Sequence, residues 1–143
     1  IKKASDKDEK IAFRLNGTSD IDFLYLLNKN LDFDIELLNY DKVYFYDYTK
    51  SIARAKRYKD FRNYTLTFSK SETNDKEVKE ALNLGINVAA VFKDNLPQKY
   101  KGIKVIDGDL SDLEMIKHKN IILGLKAKGD AKKDITGFVI NNY

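Results

Sequence analysis

Short apolar runs that each stop at a cluster of turn and helix-capping residues recur along this chain, and that grammar constrains its fold most strongly. Ile11 to Leu15 stops at Asn16-Gly17-Thr18-Ser19-Asp20, and Val43 to Tyr46 at Asp47-Tyr48-Thr49-Lys50. Tyr64 to Phe68 stops at Ser69-Lys70-Ser71-Glu72-Thr73-Asn74, and Val88 to Phe92 at Lys93-Asp94-Asn95. Ile103 to Ile106 and Ile121 to Leu125 follow, ending in Asp107-Gly108-Asp109 and Lys126-Ala127-Lys128-Gly129. Each run reads as a β-strand handing over to a turn or helix.

Helical patterns fill the gaps. In Asp75 to Leu84, Asn74 can cap the start, Glu77 sits three residues on, Val78, Ala81 and Leu82 share a face, and Gly85 can end it. Ile21 to Leu27 with Ile35 to Leu38, and Ser51 to Tyr58, are further helical segments, while Ser111-Asp112-Leu113-Glu114 reads as a capping box and Leu96 to Gly102 as an irregular connection. Apolar strands alternating with helices predict an α/β fold: a mostly parallel sheet of six or seven strands with helical crossovers, as an open sheet or a partial (β/α) barrel. Successive strands start about 20 to 30 residues apart, close to a βαβ unit, although the last connections are shorter. A length of 143 residues suits one domain over residues 1–143, or the carboxyl-terminal part of a longer protein.

Charge narrows the partners only a little. Lysine and arginine number 26 against 22 acidic residues, a net charge of +4 that favours anionic small molecules, nucleotides or nucleic acid. The signs are interspersed, as in Lys7-Asp8-Glu9-Lys10, so no block suited to wrapping nucleic acid stands out. The chain has no cysteine, so its own residues supply no disulfide, zinc thiolate or iron–sulfur ligand, which fits a reducing, cytoplasmic setting. No apolar run approaches the roughly 18 to 20 residues needed to cross a bilayer, so no membrane partner is expected.

Ligands of parallel sheets and (β/α) barrels bind at the carboxyl ends of the strands, which is where this sequence concentrates its polar residues. Arg14, Lys126 and Lys128 are candidate anion contacts, and Asn16 and Ser69 candidate orienting groups. Asp47, Glu72, Asp107 and Asp109 are candidate acid–base or metal-binding carboxylates. Asp107-Gly108-Asp109 puts two carboxylates around a residue that permits an unusual turn, a layout for a hydrated divalent metal, a general base, or a solvated turn. Lys126 and Lys128 point the same way in extended chain and can clamp a phosphate or carboxylate, with Gly129 allowing close approach. Tyr44, Tyr46 and Tyr48 share one face, to stack on a base or to pack at a strand–helix boundary. His118, between two lysines, reads as an exposed loop residue. There is no Walker loop, dinucleotide glycine fingerprint or nucleophilic triad, so the cofactor, the metal and any reaction stay unknown.

Five segments carry a family resemblance: Arg14 to Asp20, Phe45 to Lys50, Asn63 to Asn74, Asp107 to Asp109 and Gly124 to Gly129. On these the chain resembles a family of uncharacterised phage- and plasmid-borne proteins, from about residue 11 onward. That resemblance implies the later half of a radical-SAM-like (β/α) barrel, with a cysteine-containing segment upstream. A complete eight-stranded barrel takes about 200 to 250 residues, so a half barrel needs the missing segment, self-association or an open sheet to settle its edges. The expected function is a phage- or mobile-element-type protein, an enzyme candidate, that binds an anionic small molecule or nucleotide at the strand carboxyl ends. The alternative is a non-catalytic protein whose loops contact nucleic acid or a host protein.

Overall fold

The computed structural model describes residues 9–31, 43–111 and 113–141. The helical segment expected over Ile35 to Leu38 lies outside them. In chain order the elements are β1 (Ile11–Arg14), α1 (Phe23–Leu31), β2 (Val43–Thr49), α2 (Ile52–Tyr58), β3 (Tyr64–Ser69), α3 (Asp75–Asn83) and β4 (Val88–Phe92). Then come β5 (Lys99–Tyr100), β6 (Ile103–Asp107), α4 (Glu114–Lys117), β7 (Ile122–Lys126), a 3-10 turn (Gly129–Lys133) and β8 (Val139–Ile140).

These strands form one eight-stranded sheet in the order β1-β2-β3-β4-β7-β6-β5, with β8 also pairing β4. Every pairing is parallel except the two-residue β5 against β6. Among the described residues β1 and β5 stand at opposite edges, so the sheet is open. The order also leaves the simple succession of a barrel, because β7 inserts between β4 and β6. Helical crossovers join β1 through β4; the later connections carry only short helical pieces of four or five residues.

The reversal after β6 sorts the layers. A right-handed crossover puts its connection on one face when the chain steps one way across a sheet and on the other face when it steps back. The α2 and α3 residues Ala55, Val78, Ala81 and Leu82 pack on Phe68, Val88, Ala90, Phe92 and Ile122. On the same side, Leu24 of α1 and Tyr58 of α2 pack on Val43, Phe45, Tyr64 and Leu66. Met115 of α4 packs on the opposite side with Ala89, Ile121 and Leu123, joined by Tyr46, Tyr48, Ile106 and Leu125.

Local chemistry departs from the sequence reading at the helix starts. Ser51 caps α2 through a 3.2 Å bond from the Arg54 N–H. Asn74 precedes α3 without a side-chain cap; its amide instead ties the preceding loop, accepting from Ser71 N at 2.7 Å and donating to Ser69 O at 2.9 Å. Gly85 ends that helix at φ +74°, a left-handed conformation that side chains resist. Glu114 does not reach back as a capping box; Lys117 takes it at 2.7 Å, while the Ser111 hydroxyl accepts from Leu113 N.

Candidate functional site

The face opposite the three longer helices is covered unevenly. Asn87, just before β4, donates to Met115 O at 2.9 Å and His118 O at 2.7 Å, which pins α4 over the amino-terminal part of that face. Four residues of helix do not reach the carboxyl ends, and there a cleft of about 610 Å³ opens. Its floor is Ala89 and Val91 of β4 with Leu125 of β7, and Phe138 joins them from the segment before β8. Along the floor stand Arg14, Lys50, Ser69 and Lys70 toward β1–β3, and Asp109 and Lys128 toward β6 and β7.

Each polar group is held by local structure. Arg14 lies over the Tyr48 ring, 5.0 Å from its centroid, so the ring faces the guanidinium with its electron-rich side. Lys70 follows β3, and its main-chain N–H continues the ladder to Ala89 O at 2.8 Å. Its side chain is only 6% exposed, with Nζ donating to Ser71 O at 3.0 Å and Gly137 O at 3.3 Å, and Asp75 Oδ1 at 3.7 Å. Lys70 thereby ties the end of β3 to the segment carrying Phe138. That segment is folded by Asp134, which accepts from the main-chain N–H groups of Thr136, Gly137 and Val139. At the far end Asp109 accepts from Lys128 Nζ at 2.7 Å and from Lys126 N at 2.9 Å. Burial would raise the Asp109 pKa, but these two donors outweigh it and hold the carboxyl below its ordinary value.

Of the expected ligand and carboxylate residues, the cleft brings together Arg14, Ser69, Asp109 and Lys128. Asp47, expected among the strand-end carboxylates, stands outside the cleft lining. It points to the helical side, fully buried, and accepts from Arg54 Nη2 at 3.0 Å and from Asn16 Nδ2. Asn16 is likewise buried and spent: it also donates to Ile21 O at 3.0 Å and accepts from the Ser19 hydroxyl at 2.7 Å. Arg54 continues the network to Asp20 and to the Tyr64 hydroxyl at 2.9 Å. Burial pushes the Tyr64 phenol well above its ordinary pKa, so it stays protonated there.

Glu72 is exposed and outside the cleft lining, and Asp107 accepts from Asp109 N at 2.9 Å within its own turn. Lys126 falls with Ile122 on the alternation of β7, away from the cleft, so the expected clamp with Lys128 does not form. Gly108 has no positive φ; its need is space, because a Cβ there would stand 2.5 Å from Leu123 Cγ. Lys70 and Phe138 were not legible as site residues, although a lysine directly behind a central strand was a usable signal for the first. Among the described residues no three of His, Asp and Glu gather as a metal site, and this cysteine-free chain does not fit an iron–sulfur cluster. A smaller cavity of about 370 Å³ lies at the amino-terminal edge, where Lys59 is paired with Asp60 and His118 stands 3.5 Å from Glu114.

No helix among the described residues is long and apolar enough to cross a membrane. The chain matches no curated protein and no solved structure. The phage-type character expected from the strand-end segments does have a counterpart: the profile of the family described as Gene product 88 matches residues 1–142, and the chain belongs to that family.

Proposed function

We propose that the protein binds an anionic small molecule of the phosphate-ester class, nucleotides included, in the carboxyl-edge cleft. The observation that carries this is the charge of the β1–β3 end. Arg14 and Lys50 have no carboxylate partner among the described residues, whereas Lys70 beside them is buried and held near Asp75 at 3.7 Å. Cations left unneutralised beside an apolar floor attract an anion that brings charge-assisted hydrogen bonds. The pairing of Asp109 with Lys128 offers an adjacent acceptor and donor at the other end, a group suited to orienting a ligand or moving a proton.

The test is a thermal-shift screen of inorganic pyrophosphate, sugar phosphates and nucleotides on the parent and on the Arg14→Ala/Lys50→Ala double variant at matched ionic strength. Binding should raise the parent's melting temperature and leave the variant's unchanged. Equal shifts in both proteins, or none with any compound, would end the proposal. A contact surface is the second reading, favoured by Leu110 and Ile135, which are 80% and 95% exposed on loops at the same edge. Binding to nucleic acid that weakens steeply with salt would favour it.

A further inference from the structure

We infer that the cleft takes a free nucleotide in one orientation, with its phosphates at Arg14 and Lys50 and its base on the apolar floor against Asp109 and Lys128. The inference rests on the anion site proposed above and adds what occupies the rest of the cleft.

The lining is polarised along the strand order. Among the described residues the cations at the ends of β1 and β2 have no carboxylate partner, whereas the cation at the far end is neutralised by Asp109 at 2.7 Å. A ligand with one anionic end therefore has one favourable direction, since its reverse would set phosphate against the Asp109 carboxylate. Strands lie about 4.8 Å apart, so from β2 to β7, three positions on, the span is about 14 Å. A bare phosphate fills one end of that span; a nucleoside phosphate fills its length. A cleft of about 610 Å³ is likewise larger than an inorganic anion needs.

The middle is built for a flat ring. Ala89, Val91 and Leu125 give an apolar floor, and Phe138 adds an aromatic ring. Phe138 is not there by chance of a loose loop: β8 pairs Val139 with Val91 and Ile140 with Phe92, Asp134 folds the preceding turn, and Lys70 holds Gly137 O. At the floor's end the Asp109 carboxylate uses one bond per oxygen, to Lys128 Nζ and Lys126 N, and retains lone pairs for further donors. An acceptor beside an ammonium donor complements the neighbouring donor and acceptor on the edge of a nucleobase. Because Lys70 lines the cleft beside Arg14 and Lys50 and holds the Phe138 segment through Gly137 O, the two halves of the site are mechanically joined.

The experiment measures affinities for pyrophosphate, ribose 5-phosphate and the four ribonucleoside triphosphates by titration calorimetry, on the parent, Phe138→Ala, Phe138→Leu and Asp109→Asn. At least one nucleotide should bind about 10-fold or more tighter than pyrophosphate, the gain expected of one stacked base. Either Phe138 variant should shrink the ratio of nucleotide to pyrophosphate affinity, and Asp109→Asn should reorder the four bases. Pyrophosphate binding as tightly as every nucleotide, or ratios and base order unchanged in all variants, overturns the inference while the anion site stands. Affinity that climbs with the length of a single-stranded oligonucleotide also overturns it, and no binding of any compound removes both readings.

Discussion

Asp47→Ala should weaken the fold, and should act on ligand binding only through the fold. The carboxylate is fully buried, 3.0 Å from an Arg54 side chain that is itself 5% exposed, and it also receives the Asn16 amide. Removing one partner of a buried ion pair costs about 3 to 5 kcal/mol, because the remaining charge stays desolvated without its counter-ion. Here Asp20, at 38% exposure, still holds Arg54 Nη1, which places the expected loss near the lower end, about 3 kcal/mol. With a urea m-value of about 1 to 3 kcal/mol/M, the midpoint should fall by about 1 to 3 M at unchanged m. Arg54→Ala strands Asp47 and frees the Tyr64 hydroxyl, so it should cost at least as much, and the double variant less than the sum of the two. The reasoning is refuted if Asp47→Ala unfolds within about 0.5 kcal/mol of the parent. Loss of nucleotide binding at that unchanged stability would return Asp47 to the site.

Lys128→Ala should alter ligand affinity in the titrations above, whereas Lys126→Ala should leave it within about two-fold, since an exposed charge outside the lining acts only through screened long-range attraction. Gly124→Ala should destabilise by about 1 to 3 kcal/mol in urea, because its Cβ would stand 2.7 Å from Val105 Cγ1 and 2.9 Å from Leu96 Cδ2 in a packed layer; a neutral result would show that Leu96 yields freely. The Asp134 carboxyl is held below its ordinary pKa of 3.8 by the Thr136 hydroxyl and then by the Val139 N–H. A depressed carboxylate contributes stability above its unfolded value and loses it as pH falls through the folded one. Amide exchange at Gly137 and Val139 should therefore quicken, after correction for intrinsic rates, only on acidification below the ordinary carboxylate range; protection unchanged there would show that another contact holds the segment.

The parallel strands were legible because each central strand is apolar over nearly its whole length, as in Val88–Phe92, where four of five residues are buried. The two-residue strands β5 and β8 carry no such signal; Val139 and Ile140 become a strand only because β3 leaves the upper part of β4 unpaired. Strand order was not legible either. Nothing in the composition of Ile122–Lys126 says that it inserts between β4 and β6, a choice made by tertiary packing of Gly124 against Val105 and Leu96.

That unread order is also why the carboxyl edge was recognisable as a location while its residues were only half identifiable. Side chains alternate across a strand, so neighbouring residues at one strand end belong to opposite faces. Asp47 and Tyr48 are adjacent, yet Asp47 enters the helix-covered side and Tyr48 the cleft. Which face stays open depends on where the crossovers run: three helices of seven to nine residues cover one side, and the backward step from β6 to β7 brings only Glu114–Lys117 to the other. Asn87 fixes that short helix near the amino ends of the strands, so the unfilled volume must fall at the carboxyl ends on the same face. Lengthening α4 toward the carboxyl edge by one turn would therefore compete with ligand for the cleft. Grafting an alanine-rich turn before Glu114, on the side of α4 that faces the end of β6, should lower nucleotide affinity and raise the urea midpoint; unchanged binding in a more stable variant would show that the cleft is not bounded by this helix.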